Sequence, residues 1–319
     1  MKKTERLVHY YDLSISASSR TFEAPKPISV KKSFELMQLV PKEERLKPMA
    51  KGRELLYVSD WNWAGNLISI LVNKSDKGIS DPVFTVPQAQ KRRTAVKQEN
   101  EGQDFSVHIL IQLPDDEIES ALVIVEYCSG LGIFVVQRLL NQILDDAKKI
   151  SPVDFVQLHL DGSVDANGDA KKCNVVYRCD FKGHISDELE YDLDNGKIQS
   201  IELITEKEKS QNFDEDGYIV EKCKTLVLTL KDEENPLTDK FSRIVKVFNK
   251  QKEDYSKARI KFKSPTGIDR TVEMDTAQGL VEAYVKRDKL EGFESDLLAS
   301  YENFDDKIIE KMKGLLGPA

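Results

Sequence analysis

The chain has 319 residues, a formal net charge of −8, 32% charged and 40% apolar side chains, a balance found in globular proteins rather than in disordered or membrane-embedded ones. Its length suffices for two domains that each bury a core, and no run approaches the ~18 apolar residues that a bilayer-spanning helix needs. The charged start Met1-Lys2-Lys3-Thr4-Glu5-Arg6 lacks the apolar stretch of a signal peptide, so a cytoplasmic protein is expected, and the acid excess excludes a surface broadly dressed for polyphosphate.

Val8 to Ile15 reads as a strand, and Lys31 to Leu39 followed by Pro41 to Leu46 as a helical segment interrupted by Pro41. Arg53 to Val58 and Asn66 to Val72 read as strands joined through a turn-rich aromatic link, Asp60-Trp61-Asn62-Trp63-Ala64-Gly65. Residues 74 to 104 are polar, with Pro82, Pro87 and the basic run Lys91-Arg92-Arg93, and predict a long excursion with at most short strands. Phe105 to Gln112 alternates, and Ser120 to Tyr127 is a buried strand. Gly130-Leu131-Gly132 then turns the chain into a helix over Ile133 to Lys148, with Val136, Leu139, Leu140, Ile143, Leu144 and Ala147 on one face. A first domain over residues 1–150 closes there.

Residues 151–319 form the second expected domain, opening with strands at Asp154 to Leu160 and Asn174 to Phe181 around a polar loop, Asp161 to Asp169. Strands at Ile198 to Thr205 and Lys222 to Leu230 flank an acidic loop at Asn212 to Gly217. Asn235-Pro236 is a helix start, with Asn at the cap and Pro at the first helical position, and that helix runs to about Asn249. A hairpin over Lys257 to Asp275 follows, and apolar residues from Leu297 to Leu316 recur at helical spacing in a terminal helix over Glu294 to Leu316. That stripe serves as core packing or as a dimer surface. The fold class expected is α+β: two mixed α/β-sheet domains with a C-terminal amphipathic helix.

The chemistry-bearing motifs each miss a requirement. Val135 stands where a dinucleotide-binding turn needs its third glycine. The loop from Asp161 has Ala166 and Lys172 where a calcium loop needs Gly and Glu. Asp169-Ala170-Lys171, with Asp154 or Asp161, has the residue types of a metal-dependent nuclease but lies in a Gly-rich loop rather than at a rigid strand end. His9, His108, His159 and His184 are scattered, no Ser or Cys has a nucleophile's context, and Cys128, Cys173, Cys179 and Cys223 include no Cys-x-x-Cys pair. Buried free thiols, no metal and no cofactor are expected.

Two basic rows remain. Lys257, Arg259, Lys261 and Lys263 share one strand face, but a Pro265-Thr266-Gly267 loop sets Lys263 against Asp269, Arg259 against Glu273 and Lys257 against Asp275. Lys240, Arg243, Lys246 and Lys250 form a helical stripe with Asp239 as its one acid, and suit phosphate contact, as do Lys91, Arg92 and Arg93.

Ile124-Val125-Glu126-Tyr127 with Gly130-Leu131-Gly132, the helix ending Leu139-Leu140-Asn141-Gln142-Ile143-Leu144, the strand at Val156-Gln157-Leu158 and the hairpin Ala258-Arg259-Ile260-Lys261-Phe262-Lys263-Ser264-Pro265-Thr266-Gly267 form a layout over most of the chain. This layout resembles the RexA-type exclusion proteins of lambda-type prophages and related defence-associated bacterial proteins. The resemblance implies a two-domain, dimeric, DNA-binding protein of abortive responses to phage, with a small membrane protein as partner, and it carries no catalytic residues over. The expected function is non-enzymatic nucleic-acid binding through a local basic patch. A metal-dependent nuclease and a protein-interaction sensor of a phage component are the alternatives.

Overall fold

The computed structural model describes residues 2–22, 24–115, 120–159, 162–164, 168–205, 224–230, 240–251, 254–275, 279–280 and 285–316. Contacts divide the chain into two compact units, Met1–Phe181 with Asp288–Ala319, and Lys182–Arg287.

The first unit begins with β1 (Arg6–Ser18), α1 (Val30–Gln38), β2 (Leu46–Met49), β3 (Glu54–Ala64), β4 (Leu67–Asp76), the short pair β5 (Val83–Val86) and β6 (Lys91–Thr94), β7 (Gln103–Gln112), β8 (Ala121–Glu126) and α2 (Ile133–Ile150). Then come β9 (Val156–Leu158), β10 (Lys172–Asn174) and β11 (Val176–Gly183). The large sheet runs β11-β1-β8-β7-β4-β3-β2. From β1 to β2 every ladder is antiparallel. Its central strands β4 and β8 are buried on both faces and so read as apolar runs.

On one face lie α1 and α2: Phe34 of α1 packs on Trp61 of β3, Lys47 of β2 pairs with Asp146 of α2, and Asn141 of α2 accepts from the Cys179 N–H of β11 at 2.7 Å. The buried residues of α2 are Ile133 together with the six its periodicity predicts. The link read as turn-rich is strand instead, because the two-residue turn Gly65-Asn66, with Gly65 at φ +62°, makes the reversal and lets Trp61 and Trp63 pair with Ile70 and Ile68.

The second unit holds α3 (Asp187–Asn195), β12 (Lys197–Thr205), β13 (Lys224–Leu228), α4 (Lys240–Gln251), β14 (Lys257–Lys263), β15 (Asp269–Asp275) and β16 (Gly279–Leu280), with the five strands in the order β13-β12-β14-β15-β16. Leu189 and Leu193 of α3 and Ile244 and Phe248 of α4 join Ile201, Leu203, Ala258, Ile260, Phe262 and Val272 in one core. The acidic loop at residues 212–217 and the helix start at Asn235-Pro236 lie outside the described residues.

The chain then returns to the first unit through β17 (Arg287–Leu290), which pairs with β1, and ends in α5 (Asp306–Gly314). Most of the terminal stripe is core: Leu297, Ile308, Ile309 and Met312, together with Leu290 of β17, bury against Val8, Tyr10, Leu110 and Ile124, while Leu298 is exposed. The expected helix from Glu294 is shortened to begin after Asp305, whose carboxylate caps it by accepting from the N–H groups of Lys307 and Ile308. Upstream of that cap, sheet side chains take the backbone groups that a helical ladder would use. Tyr301 N–H donates to Ser106 Oγ at 2.9 Å, and Tyr301 C=O accepts from Asn73 at 2.8 Å. Phe304 N–H donates to Asp60 at 3.2 Å, and Asp305 N–H to His108 Nε2 at 3.0 Å.

These features overturn the expected α+β class. Among the described residues strand outweighs helix, 42% against 26%, in a curled antiparallel sheet and several smaller sheets. The aromatic link and part of the excursion are strand, and part of the terminal stripe is not helix. The boundary expected at 150/151 falls inside the first unit, because β11 and the segment from Asp288 onward join the sheet begun by β1.

Beneath the terminal segment lies a buried charge cluster. Arg6 Nε stands 2.7 Å from Glu126 Oε1, off the N–H axis, as an ion pair rather than an aligned hydrogen bond. The Arg6 guanidinium also donates to the carbonyls of Lys2, Glu5 and Leu298. Glu126 Oε2 accepts from His108, from the ring at 2.7 Å and from the backbone N–H at 3.2 Å. Since His108 Nε2 accepts from Asp305, Nδ1 carries the ring proton.

Candidate nucleic-acid interface

The orientation of α4 follows from two side chains. Ile244 and Phe248, one helical turn apart, are 1% and 4% exposed in the core of the second unit. That anchoring puts Arg243, Lys246 and Lys250 in solvent, three cations at spacings of three and four on a helix that contains no acid. Among the described residues none of the three has a carboxylate partner. Lys240 differs: it is half-buried, and its ammonium donates to the Gly196 carbonyl at 3.0 Å, at the C-terminal end of α3, where a helix dipole favours a cation. Leu237 and Asp239 lie outside the described residues.

The hairpin row is matched by acids, in the register its loop predicts: Lys263 against Asp269, Arg259 against Glu273 and Lys257 against Asp275. Arg259 lies 2.7 Å from Glu273. A further acid comes from β12, where Glu202 stands in register with Arg259 and meets it at 3.2 Å and Lys261 at 2.6 Å. The bond from Lys261 and then the two charges hold the Glu202 carboxyl below its ordinary range. No local pattern in the sequence marks Glu202 as a partner, because the pairing joins strands more than fifty residues apart.

Lys91, Arg92 and Arg93 lie on β6, in the first unit, and α4 belongs to the second. The strand is exposed along its whole length, and Arg93 covers the Phe84 ring of β5 at 4.9 Å. The sequence marked these cations but not the strand they stand on.

Several of the candidates for catalysis are engaged within the fold. Gly130 lies under the Phe105 ring, and Gly132 caps α2 with its carbonyl. Cys128, Cys173 and Cys179 are buried free thiols, and burial pushes the Cys179 thiol up to about 12, far from a reactive thiolate. Cys223 and Asp161 lie outside the described residues. Asp154 accepts from Ser151 at 2.6 Å and pairs with Lys32 at 3.0 Å, both of which hold its carboxyl below the usual range. His9 packs on Tyr127 and His159 on Phe22. No helix among the described residues is long and apolar enough to cross a membrane.

Comparison of the chain with protein families, with curated proteins and with solved structures finds no match.

Proposed function

We propose that this protein is a non-enzymatic nucleic-acid-binding protein, acting in the exclusion or abortive response to phage that the resemblance of its layout implies. The observation that carries the binding is the solvent face of α4, where Arg243, Lys246 and Lys250 stand together without an acid. Phosphates spaced along a backbone suit such a row, and each neutralised phosphate releases condensed counterions, so binding weakens as salt rises.

Titration of a labelled DNA duplex at increasing KCl tests the reading. Three phosphate contacts contribute a slope of about −2.7 to log K against log salt, or about a 40-fold loss between 50 and 200 mM. Reversal of all three cations to Glu removes that share of the slope. Lys263→Glu, on a strand whose cations face acids, changes affinity less than Lys246→Glu. Absence of binding, or binding indifferent to salt, refutes the proposal.

A further inference from the structure

The pair β5–β6 is a sheet of its own, with no third strand among the described residues. Its ladder sets Phe84 against Arg93, Val86 against Lys91, Thr85 against Arg92 and Val83 against Thr94, and extends by the Ala95 N–H donating to Pro82 at 2.9 Å. Both faces of this ribbon are open: Val83, Phe84 and Val86 are 51%, 53% and 54% exposed. A two-stranded ribbon with neither face packed is marginal on its own, so its exposed apolar and cationic side chains are not accounted for by folding.

Charge and residue type narrow what covers it. Residues 82–98 contain no Asp or Glu in a chain of net charge −8, and of their four cations Lys97 is spent on Asp81 at 2.9 Å. Lys91, Arg92 and Arg93 remain, so the partner is anionic. The turn between the strands is Pro87-Gln88-Ala89-Gln90, closed by the Gln90 N–H donating to Pro87 at 3.1 Å, so two amide side chains stand at the tip. An amide-bearing tip suits base edges and not a hydrocarbon interior, which a membrane-inserting hairpin meets with apolar residues. Gln pairs with the adenine edge and Arg with the guanine edge in the DNA major groove, whose ~12 Å width admits a two-stranded ribbon. The major groove of A-form RNA is too narrow for that entry. Single strands would stack on Phe84, but Arg93 already covers one face of that ring.

We infer that the β5–β6 ribbon is a reading arm for the major groove of duplex DNA, with Gln88, Gln90 and Arg92 toward base edges and Lys91 toward phosphate. This rests on the nucleic-acid reading above and adds to it a mode of contact and a source of sequence preference. The α4 face supplies affinity without sequence, and the ribbon supplies discrimination.

The test is selection by the full chain from a pool of 20-base-pair duplexes with randomised centres, followed by titration of the enriched and unselected duplexes. The wild type enriches a sequence. Gln88→Ala with Gln90→Ala keeps every charge, leaves the salt slope unchanged and loses about 5- to 150-fold on the enriched duplex for each base contact removed. Arg92→Ala lowers both the preference and the slope. All three side chains are exposed, so the melting curves of the variants match the wild type. Duplex binding without enrichment, or enrichment that both variants retain, overturns the ribbon's role and leaves the α4 reading standing. No duplex binding at all overturns both. Binding to vesicles of phosphatidylserine and phosphatidylcholine that duplex DNA does not compete away, and that Arg92→Ala weakens, shows the arm to be a membrane contact and overturns the inference.

Discussion

Replacing Glu126 by Gln tests how the C-terminal segment is held on the sheet. The carboxylate has two oxygens with separate duties, Oε1 against Arg6 at 2.7 Å and Oε2 accepting twice from His108. An amide has one oxygen. Turned to His108, it sets its NH2 against the guanidinium; turned to Arg6, it sets NH2 against the N–H groups of His108. In either orientation donors face donors, and Arg6, 2% exposed, retains a charge without a counterion. Breaking a buried pair in this way costs about 3–5 kcal/mol, roughly a fifth or more of an ordinary domain's stability, and lowers Tm by about 6–20 °C for a unit of this size. Arg6→Met costs a similar amount by stranding Glu126. The double variant Arg6→Met, Glu126→Leu removes both charges and destabilises by less than the sum of Arg6→Met and Glu126→Leu alone. It still leaves the His108 donors unmet, at about 1–3 kcal/mol. Urea unfolding gives the free energies of the four variants, and amide exchange at Asp305 shows whether the loss is felt at the terminal segment. Glu126→Gln within 1 kcal/mol of wild type, or additive single variants, would refute the account of this cluster.

Two further outcomes follow from neighbouring geometry. A Cβ added at Gly130 would lie 2.5 Å from Phe105 Cδ1, so Gly130→Ala is expected to cost about 1–3 kcal/mol in thermal melts. Gly132, with nothing near its Cβ direction, accepts Ser and gains a few tenths of a kcal/mol from the added cap; equal effects at the two glycines would refute the packing account. Burial, and then the charge of Asp104, push the Tyr57 hydroxyl up to about 12. Because that value is raised above the unfolded one near 10, the contribution of Tyr57 is full below pH 10 and is lost as pH rises through 12. In urea unfolding between pH 9 and 12, Tyr57→Phe is therefore expected to flatten the alkaline fall by about 1–2 kcal/mol, and an unchanged slope would refute the assignment.

What could be read from the sequence was local. The hairpin of β14 and β15 was legible down to its cross-strand pairs, since period-two alternation and a three-residue loop with Gly267 leave one register. The buried face of α2 was legible because six apolar residues recur at helical spacing over about three turns. The acidic α3 escaped because its apolar signal is two leucines, Leu189 and Leu193, with the cap at Ser186 as the remaining cue. The terminal stripe misled for a nonlocal reason: apolar spacing reports what is buried, whereas Ser106, Asn73, Asp60 and His108, all distant in sequence, decide that the backbone there is not helical. One cue to the buried cluster was present in the strands themselves, where Arg6 and Glu126 share a strand face with apolar residues and His108 with Leu110.

The position of the acids determines which cations are available to a ligand. At physiological salt the Debye length is about 8 Å, so carboxylates elsewhere on the chain are largely screened from a phosphate that touches α4, and the net charge of −8 is a weak guide to what that face binds. A carboxylate at contact is different. Glu202 lies within 3.2 Å of Arg259 and 2.6 Å of Lys261, and a phosphate would have to displace it. Among the described residues no carboxylate has to be displaced at Arg243, Lys246 and Lys250, or at Lys91 and Arg92, where a phosphate would replace water. The hairpin of β14 and β15 has four cations in strict alternation, yet contact-scale pairing makes it a weaker candidate for a polyanion than the acid-free rows on α4 and β6.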